Sequence, residues 1–431
     1  PRSFEGTWEK LSQVAVKGAE FDSRERQPHP KCLQGTRVTL LDKIYGLLDN
    51  QEKSRLVWLH GTAGVGKSAV AFSVAERMKG LKVKEQVAGN EKRLLGSFFF
   101  SRKHTKRCTT GYFFATLVYQ LASNFPSIQA DVNRAIHENP ALLDPDKSLR
   151  DQMEGLFLPP LRRLRFRLCQ CPPSVFVVDA LDECISATEI VDLISLLSEA
   201  LREPKLPVIH ILLTSRSEAH ICKAIEKEEV LSITTITSLD GADVDNDIYI
   251  FLDHSFRELQ TRHPDFPQPP RHQLARLASR AGRRFIVAST MMKFIDDGDN
   301  DPRDRLQLML ELTSDLLPGT EVYKLYDHIL STCTDPKRAY MHLSVVAALA
   351  DPLSISQISK LLGPGPGRDV ETTLAQLRSV MDIPTDNNLP VNIHHSSVRD
   401  YVSDLSNCGL TQVQDITPPH TLLAQSSFRL M

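Results

Sequence analysis

The chain lacks any long hydrophobic run. Its longest uncharged apolar stretches, residues 206–215 and 339–350, are far shorter than the roughly 20 residues that a membrane-spanning helix needs. An excess of one charge is also missing, because 51 Lys and Arg residues stand against 53 Asp and Glu residues. The near-neutral balance argues against a protein whose whole surface binds nucleic acid or an anionic membrane. We therefore expect neither a membrane span nor a specific nucleic-acid partner.

Cysteine is scarce as well, with eight residues in 431. Cys169 and Cys171 are close in sequence, but no second Cys or His pair follows at the spacing of a zinc finger. The cysteines therefore indicate reduced thiols and a cytoplasmic location. One basic amphipathic stretch, residues 161–168, is interpreted as a solvated helix face.

Short apolar runs alternate with helical patterns in the first 240 residues, which predicts a parallel sheet covered on both faces. The predicted strands are residues 56–60, 94–100, 175–178 and 208–213, with a weaker one at 230–236. The predicted helices between them include residues 112–123, 128–137, 149–168 and 188–202. Beyond residue 239 the pattern becomes helical (247–259, 271–281, 284–295 and 303–312), followed by a hinge at 317–319 and a compact unit with one extended segment at 391–393.

A glycine-rich motif follows the first predicted strand. It reads Gly61-Thr62-Ala63-Gly64-Val65-Gly66-Lys67-Ser68 and fits the phosphate-loop pattern G-x-x-x-x-G-K-[ST], with a helical pattern behind it. In such a loop backbone N–H groups surround the phosphates, Lys67 approaches the β- and γ-phosphates, and Ser68 offers its hydroxyl to Mg²⁺. We predict nucleotide contacts from all these residues and from Ala69.

The third predicted strand ends in acid, with Asp179 followed by Asp182 and Glu183. Ligands of parallel sheets collect at the carboxyl ends of the strands, so Asp179 is predicted to hold Mg²⁺. Glu183 or Asp182 could orient or deprotonate the attacking water. The next strand leads into Arg216, which could reach a γ-phosphate. A strand at residues 98–100 also separates the two motifs along the chain, as in NTPases that carry their own catalytic glutamate, and no N-K-x-D guanine motif is present, which weakly favours adenine.

With these motifs the chain resembles NACHT-type STAND NTPases, the nucleotide switches of NOD-like receptors, and especially their basidiomycete-type fungal members. The resemblance is carried by Asp179-Ala180-Leu181-Asp182-Glu183 and spans nearly the whole chain from about Phe21 onward. Further matching segments are residues 31–37, 97–102, 117–122 and 394–401.

The resemblance implies roles that spacing alone does not give. Gly35, Thr36 and Arg37 would lie near the adenine and ribose, and Arg216 would sense the γ-phosphate. His394 or His395, with a slight preference for His394, would contact the β-phosphate of ADP and lock a closed state. The implied fold class is an α/β P-loop NTPase sheet of the ASCE type, followed by a helical lid domain and a winged-helix domain.

The implied domains are an N-terminal helix and linker (1–34), a nucleotide-binding domain (35–239), a helical lid (240–318), a winged helix (319–405) and a further helical segment that is cut short (406–431). Effector and repeat domains would lie outside this chain. The implied function is an ATP- and ADP-binding, Mg²⁺-dependent switch that forms homo-oligomers on activation, in fungal innate immunity or programmed cell death. The alternatives are a continuously cycling P-loop ATPase and a scaffold that binds nucleotide for stability alone.

Overall fold

The structure is a computed structural model. It describes residues 6–26, 30–52, 55–80, 93–169, 171–240, 244–298, 300–312, 321–363, 369–384, 386–413 and 416–430. The chain divides into two compact units, the first comprising Pro1–Cys32, Arg37–Thr62 and Lys67–Leu239, and the second comprising Leu33–Thr36, Ala63–Gly66 and Asp240–Met431. Among the described helices, none combines the length and apolar character that crossing a membrane requires.

The first unit is built on a parallel sheet whose strands carry continuous apolar residues. Four of the five strands are almost fully buried, as expected where helices cover both faces. The strands are β1 (Arg55–His60), β2 (Leu94–Phe99), β3 (Ser174–Asp179), β4 (Ile209–Ser215) and β5 (Thr234–Ser238). The helices are α1 (Thr7–Val14), α2 (Val38–Leu48), α3 (Lys67–Gly80), α4 (Phe113–Asn124), α5 (Gln129–Glu138), α6 (Leu149–Gln152), α7 (Leu158–Leu168), α8 (Ala187–Leu201), α9 (Ala219–Ile225) and α10 (Glu228–Leu231).

The order of the strands across the sheet is β2-β3-β4-β1-β5, and every neighbouring pair is parallel. The strand inserted between the phosphate-loop strand β1 and the acidic strand β3 is therefore β4. Strand β2, which lies between those two in the sequence, takes the edge of the sheet instead. This order is the ASCE arrangement, and the predicted fold class is confirmed.

A cluster of aromatic rings fills the layer between the β2–β3 side of the sheet and its helices. Neighbouring ring centroids are 4.7–5.5 Å apart along this cluster. Each ring that is fully removed from water stabilises the unit by roughly 1.5–3 kcal/mol. Its members are Phe98, Phe100, Phe113, Phe114, Phe157 and Phe176.

Two predicted elements of the first unit need correction. The single helix expected at 149–168 is interrupted by a π-helical turn, Met153–Phe157. Pro159 and Pro160 follow this turn and have no backbone N–H to donate, so the regular α ladder cannot run through. The strand expected at 230–236 starts later, because helix α10 occupies its first residues.

The second unit begins with helices that pack around their own apolar core. They are α11 (Val244–Arg262), α12 (Arg271–Arg280), α13 (Phe285–Ile295) and α14 (Pro302–Leu312), close to the predicted positions. The hinge expected at 317–319 lies outside the described residues.

The remainder of the second unit has the element order of a winged helix. Helix α16 is followed by a bridge between Ser354 and Pro390, then by two helices and a short antiparallel hairpin. The elements are α15 (Glu321–Ser331), α16 (Pro336–Ala348), α17 (Ile355–Leu362), α18 (Val370–Ala375), β6 (Met381–Asp382), β7 (Asn392–Ile393), α19 (Ser396–Ser403) and α20 (Pro419–Leu430). The extended segment predicted at 391–393 coincides with β7 and the residue before it.

Candidate functional site

The glycine-rich motif forms the turn from β1 into α3, as the phosphate-loop pattern requires. Gly64 and Gly66 have φ of 77° and 101°, in the left-handed region where a side chain is unfavourable. Lys67 is the first residue of α3, and its Nζ donates to the carbonyl oxygens of Gly61 (2.8 Å) and Thr62 (2.9 Å). The ammonium is thus held at the loop, where the N-terminal end of α3 also favours negative charge.

Asp179 is the last residue of β3 and only 3% exposed. Thr214 on the adjacent strand β4 fixes its carboxylate by donating a 2.5 Å hydrogen bond from Oγ1 to Oδ1. The same hydroxyl accepts from the backbone N–H of Ala180 at 3.0 Å. Ala180 has a φ of 57° and turns the chain away from the strand. The acidic side chain is therefore oriented by its neighbouring strand at the carboxyl edge of the sheet.

Asp182 forms an ion pair with Arg216. Its carboxylate accepts from the backbone N–H of Arg216 (3.0 Å) and from Arg216 Nε (3.1 Å), and the aspartate is 3% exposed. The predicted sensor arginine therefore has an internal carboxylate partner. Each carboxylate oxygen of Asp182 thus has a partner on Arg216, one of them the charged guanidinium.

Glu183 lies at the end of the same turn and is partly buried. Its Oε2 accepts a hydrogen bond from the backbone N–H of Arg102 at 3.1 Å. Burial raises the pKa of Glu183, and the neighbouring Asp182 carboxylate raises it further, whereas the Arg102 N–H and Lys103 oppose the shift. The Glu183 carboxylate is thus more basic than an ordinary glutamate carboxylate.

The residues predicted to lie near the adenine and ribose occur just before α2. Arg37 has a φ of 55° and is largely buried, and its Nη1 donates to the carbonyl oxygen of Leu239 at 3.3 Å. The Leu239 N–H in turn donates to the carbonyl oxygen of His60, the last residue of β1. Arg37 therefore lies beside the end of the strand that carries the phosphate loop. Thr36 is buried and donates to the Leu33 carbonyl oxygen, while Gly35 takes a φ of 88°.

His394 and His395 both belong to the second unit and precede α19. The Nε2 of His394 lies 3.1 Å from the carbonyl oxygen of Arg378. His395 caps α19, because its Nδ1 accepts from the Ser397 N–H at 3.0 Å. Ser397 Oγ also lies 2.8 Å from that nitrogen and 2.8 Å from the hydroxyl of Tyr326.

The sequence motifs did not identify Thr214 or Arg102 as parts of the site. Thr214 stands two residues before Arg216, near the end of β4. Its hydroxyl can be recognised as part of the site only once the pairing of β4 with β3 is known. Arg102 lies three residues beyond the end of β2, and its Nη2 donates to the Asp182 carbonyl oxygen at 2.6 Å. The residues gathered at this edge of the first unit are Asp179, Asp182, Glu183, Thr214, Arg216 and Arg102.

The strand order, the phosphate loop and the acidic strand end define an α/β P-loop NTPase domain. The family model described as "Nephrocystin 3, N-terminal" matches residues 35–216, less than half of the chain. None of the curated proteins matches the chain in sequence.

Several solved structures have a chain fold similar to that of this protein, at low TM-scores. A Walker-type ATPase of Pyrococcus abyssi is 15% identical with a TM-score of 0.42, over 87% of this chain and 98% of that one. The ORC2 protein of Aeropyrum pernix, in ADPNP–ADP complexes, is 13% identical with a TM-score of 0.40, over 95% and 98% of the two chains. The ORC1 protein of the same organism, in complex with DNA, is 15% identical with a TM-score of 0.39, over 94% and 97%. Similarity at this level is too low to transfer a function.

Proposed function

We propose that this chain binds ATP and ADP with Mg²⁺ and acts as a nucleotide-dependent conformational switch with, at most, slow hydrolysis. The observation that carries the proposal is the phosphate loop between β1 and α3, with two left-handed glycines and Lys67 held at the loop. Asp179 stands at the same carboxyl edge of a parallel sheet. This combination of a cationic loop and an oriented carboxylate matches the needs of a Mg-nucleotide.

Mg²⁺ prefers oxygen ligands and keeps several waters in addition to one or two protein groups and the phosphates. Asp179 and Ser68 supply such oxygens, and the Thr214 hydrogen bond keeps the Asp179 carboxylate oriented. The bound ion would neutralise phosphate charge. Within the described residues no cluster of three or more His, Cys, Asp or Glu side chains could hold a metal ion.

Hydrolysis requires a group that orients or deprotonates the attacking water. The contacts favour Glu183 over Asp182 for this role, because the Asp182 carboxylate is engaged by Arg216. The raised pKa of Glu183 makes its carboxylate a stronger base.

Arg216 could report the γ-phosphate only by leaving Asp182 or by sharing its guanidinium with it. A nucleotide shifts such an equilibrium only through unequal affinity for the two states, and reversing a 1:99 ratio takes about 5.5 kcal/mol. Breaking the partly buried Arg216–Asp182 ion pair would oppose the exchange of ADP for ATP. We therefore propose that the ATP state also depends on new interfaces in an oligomer.

Of the two histidines, His395 is the better candidate for a contact with the β-phosphate of ADP. The proton of His394 Nε2 is committed to a main-chain carbonyl, since a carbonyl oxygen can only accept. The Nδ1 of His395 accepts from an amide, so the neutral ring carries its proton on Nε2, the tautomer that can donate. This reasoning reverses the slight preference for His394 drawn from the sequence.

The resemblance to fungal NACHT-type switches supports a cytoplasmic role in innate immunity or programmed cell death, with Gly35, Thr36 and Arg37 near the adenine and ribose. The same resemblance supports the five implied domains with boundaries at 34, 239, 318 and 405. It also supports activation by homo-oligomerisation without a specific nucleic-acid partner.

The first test is to denature the purified protein and identify any released nucleotide by chromatography. Near-stoichiometric ADP supports a slowly exchanging switch. An empty site with turnover of about 1 s⁻¹ or faster on addition of ATP would instead favour a cycling ATPase.

Variants locate the binding site. Lys67→Ala should abolish the thermal shift with Mg-ADP, whereas Lys79→Ala on the same helix should not. Asp179→Asn should weaken Mg²⁺-dependent binding more than metal-free ADP binding. Equal losses would contradict the proposed role of Asp179 as a magnesium ligand.

A further inference from the structure

An N-terminal segment lies along the free edge of the sheet. Residues 15–26, here called the edge segment, run beside β2, where the Phe99 N–H donates to the Ala19 carbonyl oxygen (2.9 Å). The Phe21 N–H donates to Ser97 Oγ, also at 2.9 Å. Ala19 is fully buried and Phe21 nearly so, and the Phe21 ring packs on Phe72 of α3. The segment is thus an integral part of the first unit.

The edge segment fixes one buried arginine, Arg107. Its Nη1 donates to the Gly18 carbonyl oxygen at 2.6 Å, and its Nη2 lies 3.2 Å from the Glu25 carboxylate. Arg107 is only 4% exposed. Gly18 has a φ of 96°, and a Cβ there would lie 2.3 Å from the Glu25 carboxylate. A glycine at this position therefore permits the contact between Glu25 and Arg107.

Arg107 closes a short loop, residues 101–108, that follows β2. The Ser101 N–H donates to the Arg107 carbonyl oxygen (3.0 Å), and the Arg107 N–H donates to the His104 carbonyl oxygen (2.9 Å). The next residue, Cys108, accepts from the Ile185 N–H at 2.9 Å. The loop is therefore fixed at its base by Arg107 and tied to the chain just beyond the acidic turn.

The other end of the loop holds that turn directly. The Arg102 N–H donates to Glu183 Oε2 (3.1 Å), and Arg102 Nη2 donates to the Asp182 carbonyl oxygen (2.6 Å). A 3.7 Å ion pair with Glu218 further restrains the Arg102 guanidinium. The contacts thus run without a break from the edge segment through Arg107 to the carboxylate of Glu183.

We propose that Arg107 and Arg102 are positioning residues for Glu183, and that the edge segment holds them in place through Gly18 and Glu25. The proposal rests on the proposed ATPase function, since it assigns to Glu183 the handling of the attacking water. A hydrogen bond to one carboxylate oxygen restricts rotation of the side chain and leaves the other oxygen for the water. Loss of the Arg107 contacts to the edge segment would therefore slow hydrolysis without removing nucleotide.

None of the contacts described above involves a residue of the phosphate loop, so their loss should act on the chemical step rather than on nucleotide binding. Misplacement of a catalytic group by about 1 Å can cost about 10²-fold in rate. For Arg107→Met we expect single-turnover hydrolysis to fall by about tenfold, with the Kd for Mg-ADP unchanged within about twofold. Glu25→Gln, which keeps the shape but not the charge, should give a smaller loss.

The experiment compares these variants with Arg107→Lys and with Arg162→Met. Arg107→Lys keeps the positive charge beside Glu25 and should recover part of the rate. Arg162 of α7 forms an ion pair with Glu203 in the same unit, and neither residue takes part in the contacts described above. Arg162→Met therefore controls for the loss of a paired arginine. Hydrogen exchange of the Arg102 and Ile185 amides, measured without nucleotide, reports the loop independently of catalysis.

Faster exchange of both amides with a selective loss of rate supports the proposal. A rate in Arg107→Met equal to that in Arg162→Met, a parallel loss of ADP affinity, or unchanged exchange would overturn it. If Arg107→Met does not fold, Glu25→Gln decides by the same criteria. If the parent protein neither binds nor hydrolyses ATP, the proposed function fails, and the positioning role of Arg107 and Arg102 in hydrolysis fails with it. The exchange data would still establish whether Arg107 holds the loop at residues 101–108.

Discussion

The buried histidine of α16 should make the second unit sensitive to acid. His342 is fully buried, and among the described residues neither of its ring nitrogens has a hydrogen-bond partner. Burial lowers the pKa of His342 to about 4 from 6.5, and the Arg338 guanidinium adds to the shift, while Asp369 and Asp335 oppose it. The folded state therefore holds a neutral imidazole that the unfolded chain would protonate.

The sign of the effect follows from proton binding. Below pH 6.5 the unfolded chain binds a proton that the folded chain does not bind until about pH 4. The stability contributed by the neutral imidazole is therefore complete above pH 6.5 and is lost as the pH falls towards 4. Between pH 7.5 and pH 5 the loss amounts to about 2 kcal/mol.

Two substitutions separate the titration from the cost of the unpaired nitrogens. His342→Leu removes both, so it should stabilise the second unit by about 1–2 kcal/mol at pH 7.5 and by about 2 kcal/mol more at pH 5. His342→Gln removes the titration alone and should match the parent more closely at pH 7.5. The advantage of either variant should therefore grow as the pH falls.

The assay must report the second unit. Both tryptophans, Trp8 and Trp58, belong to the first unit, so their fluorescence serves as the internal control. Hydrogen exchange of the amides of α16, followed by mass spectrometry in increasing urea, reports the unit that contains His342. If the difference between His342→Leu and the parent is the same at pH 5 and pH 7.5, the imidazole is not held neutral and the reasoning is refuted.

Three further predictions concern the first unit and are measured by urea denaturation with tryptophan fluorescence. Thr214→Val leaves the Ala180 N–H and the Asp179 carboxylate without their hydroxyl partner, so it should lower the free energy of unfolding by about 1–3 kcal/mol. Thr214→Ser keeps the hydroxyl, so an equally large loss in that variant would contradict this explanation. Ala180→Gly should raise stability by up to about 1 kcal/mol because the φ of 57° strains an L-residue, and Ala180→Val should lower it. Gly111→Ala would place a Cβ 2.3 Å from the Pro145 carbonyl oxygen, so we expect a loss of about 1–3 kcal/mol, and an unchanged midpoint would show that this segment yields freely.

Much of the fold could be predicted from the sequence because its signals are local. The apolar runs of β1 to β4 lie within two residues of their predicted positions, and the phosphate loop joins a strand to a helix as its glycines require. The break in the helix at 149–168 also has a local signal, Pro159 and Pro160. The prediction missed it because the apolar residues keep a helical periodicity across the break. Apolar residues that repeat along one element are thus sufficient to place that element approximately, but not to locate an interruption within it.

The sequence by itself was enough to propose which residues hold a Mg-nucleotide, since the glycines, Lys67 and the acidic strand end form short contiguous motifs. Only the tertiary structure decided that β4 separates β1 from β3, that Thr214 orients Asp179 and that Arg216 pairs with Asp182. The same holds for Gly18 and Arg107, which are 89 residues apart yet in direct contact. These contacts join segments that are distant along the chain, and their partners are selected by strand order and packing, which no local pattern encodes.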